Sequence, residues 1–285
     1  RGPTGRKSLI MNELRMIFYT TKVPYVKQKS KKKKIKKQLK KACVPLPFCY
    51  NTTMKLLTTN TKLEKNIKLN YQSWGIHLSP ANKSGFNVCK WASLGCKAAC
   101  LDTSGMGNFS NVQAARIKKT RLFFEDKIAF LTQLKREITN AVKLAKKKEL
   151  KPSFRFNLTS DIPWENVKLD GKSMMEYFPE VQFMDYTKSP GRMSKFLAGE
   201  LPANYHLTFS RSEEAKNQKL AKGFLSSGGN VAMVFRKLLP ETFMGYKVIN
   251  GDETDLRFLD GKGVIVGLVE KGLAKKDETG FVIEP

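Results

Sequence analysis

Three of the five cysteines in this 285-residue chain fall within twelve residues, in the string Cys89-Lys90-Trp91-Ala92-Ser93-Leu94-Gly95-Cys96-Lys97-Ala98-Ala99-Cys100. In a reducing compartment clustered thiols bind metal more often than they pair, and five cysteines cannot all pair within one chain. Thiolates are soft ligands, suited to an iron–sulfur cluster or to zinc. Three local ligands leave a fourth position open, which a substrate takes on a [4Fe–4S] cluster and a histidine takes at a zinc site. The chain has two histidines, His77 and His206, and both are candidates for that fourth ligand. The plainer alternatives are small buried thiols at a helix start, a redox disulfide, and two locally hydrogen-bonded interior histidines.

Elements on both sides must position this loop. Short apolar or alternating runs that end in polar residues recur along the body: Trp74–Pro80, Phe154–Asp161, Val181–Thr187, Tyr205–Arg211, Val231–Arg236, Tyr246–Asn250 and Val264–Val269. Each has strand length and is bounded by Gly, Pro, Asn, Asp or Ser. Between them run helical patterns. Ser110 and Gln113 have the spacing of a capping box, and Ile128, Leu131, Leu134, Ile138, Val142 and Ala145 recur at helical spacing. A break near Glu125-Asp126 divides 110–149 into two helices, and shorter helices fit 170–178, 190–199 and 212–225. The stretch 251–263, with Gly251, Gly261 and Gly263, reads as a hairpin closing the domain.

Alternating strands and helices predict an α/β fold. Six or seven strands suggest a partial or complete parallel (β/α) barrel, with a doubly wound sheet as the alternative. In either, ligands gather at the carboxyl ends of the strands. Those ends carry Asn157, Ser160, Asp161, Asp185, Lys188, Ser210, Arg211 and Arg236, which are pocket candidates, although polar residues also simply begin loops. A second candidate site is the loop Asp102-Thr103-Ser104-Gly105-Met106-Gly107-Asn108 before a helix start. There Gly105, Gly107 and Arg116, with Lys118, Lys119 and Arg121 beyond, would bind an anion. The plainer reading of that loop is a turn.

Charge divides the chain unevenly. The total is 52 Lys+Arg against 25 Asp+Glu, a net +27. Residues 1–53 hold 15 of the bases and the single acid Glu13, so half of the excess sits in under a fifth of the chain. The run from Lys31 to Lys41 repels itself and reads as disordered, a tail for phosphate backbones or an anionic surface. The alternative is that 1–53 is upstream read-through and the functional protein starts at Met54. Cys43 and Cys49 lie in this segment beside Pro45 and Pro47. Residues 54–285 then form one α/β domain. There is no stretch of 18 uninterrupted apolar residues and no signal-peptide pattern. No Ser-His-Asp order, Walker loop or H-E-x-x-H helix appears, so hydrolase, nucleotide-triphosphatase and zincin chemistry have no motif behind them.

Three cysteines in the loop after the first barrel strand resemble the radical S-adenosylmethionine enzymes. That resemblance implies that Cys89, Cys96 and Cys100 hold a [4Fe–4S] cluster whose open iron takes the methionine moiety of S-adenosylmethionine. The spacing here is C-x6-C-x3-C against that family's C-x3-C-x2-C. Asn157-Leu158-Thr159-Ser160-Asp161 stands where the family has a Gly-Gly-Glu-like motif.

A second resemblance covers most of residues 70–285. The segments Asn87-Val88-Cys89 through Cys100-Leu101, Gly105-Met106-Gly107, Val112-Gln113-Ala114-Ala115-Arg116, Thr120-Arg121, Val248-Ile249-Asn250-Gly251-Asp252 and Gly263–Leu268 carry it. They resemble a tailed-phage family of uncharacterised proteins labelled gene product 88. This resemblance implies a phage origin and a role in the host cytoplasm, and it supplies no chemistry. Two functional expectations follow. The first is a phage iron–sulfur enzyme acting on a small molecule. The second is a nucleic-acid-binding accessory protein whose cysteines hold structural zinc.

Overall fold

The computed structural model describes residues 54–285. The basic segment 1–53, with Cys43 and Cys49, lies outside the described residues. The strands are β1 (Leu57–Thr58), β2 (Tyr71–Ile76), β3 (Lys151–Arg155), β4 (Gln182–Thr187), β5 (Tyr205–Ser210), β6 (Val231–Phe235), β7 (Thr242–Phe243), β8 (Tyr246–Asn250), β9 (Ile265–Val269) and β10 (Val282–Ile283). The α-helices are α1 (Thr61–Glu64), α2 (Leu94–Ala98), α3 (Ser110–Glu125), α4 (Lys127–Lys147), α5 (Met174–Tyr177), α6 (Pro190–Leu197) and α7 (Ala215–Ser226).

All ten strands join one mostly parallel sheet, in the order β1-β2-β3-β4-β5-β6-β9-β8-β7, with β10 beside β6. The sheet is not closed, since β1 and β7 are antiparallel edges. From β2 to β6 the strand order follows the chain and lacks the central reversal of a doubly wound sheet. Strands β5 and β6 pair only at Phe209↔Val231 and Ser210↔Ala232. Above that point β10 pairs with β6 at Val234 and Phe235.

Side-chain alternation sorts the two faces. Phe154, Phe183, Tyr205 and Phe209 face the helices, where Phe156, Trp164, Phe123 and Phe130 extend an aromatic core and Phe224 of α7 meets Phe209. The opposite, inner face carries Ser73, Ser153, Arg155, Tyr186 and Thr208. It is covered by residues near α1 and by 254–260: Asn66 donates to Ser73, and Asp255 pairs with Arg155. Residues 251–263 therefore do not form the expected hairpin. They fold as turns and a 3-10 stretch, Arg257–Leu259, because Asp255 is drawn onto Arg155, one hundred residues earlier. The hairpin of this region is β7–β8.

The helical break falls where expected, and Asp126 caps α4 by accepting the Ala129 N–H. The expected Ser110/Gln113 capping box does not form. Phe109 is the N-cap of α3, and Gln113 donates instead to the carbonyls of Asp102 and Gly107. A capping box does form at Ser173/Glu176, at the start of α5.

Candidate functional site

The cysteine loop sits above the carboxyl ends of the parallel strands and is pinned at three places. At its start, the Val88 carbonyl accepts the Asp161 N–H, and Cys89 Sγ lies 3.8 Å from the Thr159 carbonyl, both after β3. In its middle, Glu213, just after β5, accepts the Ser93 hydroxyl at 2.7 Å and the Gly95 N–H at 2.8 Å. Cys96 there packs on Ala99, Ala274, Phe281 and Val282, so β10 props the loop from below. At its end, buried Asp102 is ion-paired with Lys83 and Arg116. Ser93 caps the five-residue helix α2 by accepting the Cys96 N–H.

All three cysteines are half-buried. Burial pushes the Cys89 thiol up to about 11, and the neighbouring Cys100 and Cys96 push it the same way. Burial also raises Cys100, again with Cys96 contributing. Among the described residues, however, no group of three His, Cys, Asp or Glu already stands close enough to hold a metal ion. The donor types are those a soft metal takes.

The two histidines part company. His77 follows β2, and its Nδ1 lies 3.5 Å from the hydroxyl of Thr159, whose carbonyl faces Cys89. Burial, then the charges of Arg116, Lys119 and Arg155, hold His77 down to about 3, so the ring is neutral, the ligating form. His206 is the second residue of β5, paired in register with Met184, and its ring packs on Phe196. That is the far end of the strand from the cysteine loop.

The strand-end residues also separate. Asn157 is buried and fully engaged: its Oδ1 accepts Ser160 Oγ, the Ile162 N–H and Trp164 Nε1, while its Nδ2 donates to the Ile162 carbonyl. Asp185 is buried on the helix side, where it accepts the Asn157 N–H at 2.6 Å and the Tyr205 hydroxyl at 2.8 Å. Burial pushes its carboxyl up to about 7. Asp161 accepts from Thr187, from the Lys188 N–H and from Arg192. Lys188 reaches Ser210 at 2.8 Å, and Arg211 donates to the carbonyls of Gly280 and Phe281. Arg236 pairs with Glu284. A cleft of about 790 Å³ opens beside the loop, lined by Val88 and Trp91 of the loop and by Asp161, Pro163, Ser189 and Arg192. Of the strand-end candidates, it takes in Asp161.

The glycine loop is a packing device around Asp102. A Cβ on Gly107 would lie 2.2 Å from the Asp102 carbonyl oxygen, and Arg116 donates to that same carbonyl. Burial alone would raise the Asp102 pKa, but hydrogen bonds from Lys83 and Arg116 outweigh it and the net shift is downward. Two further cations of α3 also turn to protein acceptors: Lys119 reaches the Leu56 carbonyl and Arg121 that of Ser84, leaving Lys118 exposed. The sequence does not signal the Glu213 clamp or the Asp102 pairings, since each joins residues distant in the chain.

No helix of the described residues is long and apolar enough to cross a membrane. No curated protein and no solved structure gives a significant match to the chain. The sequence profile of the gene product 88 family does match, over residues 51–285, and the chain belongs to that family.

Proposed function

We propose that this gene product 88 protein is a phage-encoded metalloprotein of the host cytoplasm, in which Cys89, Cys96 and Cys100 bind an iron–sulfur cluster and act on a small molecule held beside it. The observation that carries this reading is the loop itself: three half-buried thiols on one segment, pinned separately to the ends of β3, β5 and the start of α3. At metal sites, contacts of this kind around the ligands orient them and tune the metal. The sequential strand order supports a partial barrel, with the cluster over its carboxyl end. When bound, a [4Fe–4S] cluster with three protein ligands supplies an open iron for a substrate or cofactor.

The chain's own residues supply the surroundings. Thr159 orients both Cys89, through its carbonyl, and His77, through its hydroxyl. Asp102 fixes the backbone after Cys100 by holding Lys83 and Arg116 at once. The cleft next to Cys89, with Trp91 on its wall, is the proposed place of the substrate. S-adenosylmethionine is a poorer fit. In 157–161, where the radical enzymes place their Gly-Gly-Glu-like motif, the side chains of Asn157 and Asp161 are taken up by their neighbours.

Anaerobic purification of the full chain, with a visible spectrum and analysis for iron, sulfide and zinc, tests the reading. Brown protein with about four irons and four sulfides is expected. One zinc without colour would replace the cluster by a structural site and favour the nucleic-acid-binding alternative.

A further inference from the structure

Among the described residues, ten buried side-chain N or O atoms lack a hydrogen-bond partner, and seven of them lie on the inner face of β3–β5 and its cover. They are Arg155 Nε, Tyr186 Oη, His206 Nε2, Thr208 Oγ1, Arg257 Nε and Nη1, and Asp260 Oδ2; Arg257 Nη1 and Asp260 Oδ2 face each other as an ion pair, which leaves five with no partner. Leaving one buried polar group unsatisfied is costly, and a concentration of them marks a place built for something else.

The atoms are neighbours. Tyr186 and Thr208 are directly paired across β4 and β5, and the Arg155 guanidinium lies 4.4 Å from the Tyr186 ring centre. His206 is two residues before Thr208 on the same face, and it feels the Arg257 charge. Four of those five atoms belong to arginines or hydroxyls, groups that donate. The carboxylates present already have cations: Asp255 holds Arg155 and Lys62, and Asp260 faces Arg257 at 3.3 Å. Three cations thus meet two carboxylates, leaving one positive charge over. Burial raises Asp260 towards its neutral form, which would increase that surplus. Tyr186 and Arg155 are only half-buried, and the Lys62 side chain is 24% exposed, so this face reaches solvent on the α1 side.

We propose that the inner face of β3–β5 is a second ligand site, in which Arg155, Tyr186 and Thr208, with Arg257 below them, bind the oxyanion group of a small molecule, a phosphate or a carboxylate. Two hydroxyls and two guanidinium groups with unpartnered atoms on one face and its cover are the donor set such a group takes up, with charge assistance from the arginines. The site uses no residue of the cysteine loop and stands whether or not that loop holds metal.

The test is thermal melting of the full chain in inorganic phosphate, in acetate and in chloride at matched ionic strength. Saturable stabilisation by phosphate or by acetate over chloride is expected, and the stronger of the two identifies the oxyanion. Tyr186→Phe and Thr208→Val should each raise the half-saturating concentration about tenfold, the loss expected for one hydrogen bond to a charged ligand. In chloride both variants should melt no lower than the parent, because each removes a hydroxyl that lacks a protein partner. Absence of saturable stabilisation would overturn the proposal. So would retention of the parent's half-saturating concentration in both variants. A marked drop in melting temperature in chloride would overturn it too, because the hydroxyls would then be serving bound water in the fold.

Discussion

Glu213 Oε1 accepts the Gly95 amide at 2.8 Å, across 118 residues of sequence. This one contact ties the centre of the cysteine loop to the end of β5, and the site is built around it. The second oxygen takes the Ser93 hydroxyl, so the carboxylate closes on both sides of the α2 start. Gly95 has no room for a side chain: an added Cβ would lie 2.3 Å from Thr279 Oγ1 and 2.9 Å from the Glu213 carboxylate.

Gly95→Ala should therefore push α2 off its clamp. Overpacking of this kind costs about 1–3 kcal/mol, read as a lower urea midpoint. Cys96 moves with the helix, so bound metal should fall as well. Glu213→Gln should retain part of the metal, because its remaining carbonyl oxygen still accepts one of the two donors. Equal metal content in parent and Gly95→Ala would break the link between clamp and site.

Asn157→Ala should destabilise the fold, although Asn157 itself does not line the cleft. It removes the acceptor of Ser160 Oγ, the Ile162 N–H and Trp164 Nε1 at once, and the buried groups left without a partner cost about 2–4 kcal/mol together. A variant with parental stability and altered ligand binding would return Asn157 to the role of a pocket residue.

Asp185 gives the fold a pH dependence of definite sign. Its folded value of about 7 stands above the ordinary 3.8, so between those limits the folded chain holds a proton that the unfolded chain has released. Stability from this group is fully present below about pH 4 and declines as pH rises to about 7. Asp185→Asn keeps an acceptor for the Asn157 N–H and should remove that part of the decline. Stability curves for both proteins from pH 4 to 8 check it; parallel curves would contradict the assignment.

Metal affinity should rise with pH. Cys89, held up at about 11 by burial, and Cys100, raised by burial, are both protonated at neutral pH in the metal-free chain. A metal must displace at least these two protons, so apparent affinity for zinc or cadmium should rise at least about a hundredfold per pH unit near neutrality. A flat titration between pH 6.5 and 7.5 would mean that these sulfurs are not the ligands.

The features legible in the sequence are local ones. Asp126 caps the helix that its own position announces, and the strand runs ending in polar residues lie close to where their punctuation puts them. Distance in sequence hides the rest. Gln113 has the spacing of a capping residue, yet its side-chain amide is turned to the nearby carbonyls of Asp102 and Gly107. The basic face of α3 looks free because the acceptors of Arg116, Lys119 and Arg121 lie 14, 63 and 37 residues away. Tyr186 and Thr208 are invisible as site residues for a different reason. Alternation within a strand tells which side chains share a face, but not that their hydroxyls find no partner there.

The most direct measurement is the metal and sulfide content of the anaerobically purified full chain beside Cys89→Ala, Cys96→Ala and Cys100→Ala. The parent should carry a stoichiometric cluster, and each single variant should lose most of it. Metal content unchanged in all three variants would contradict the account.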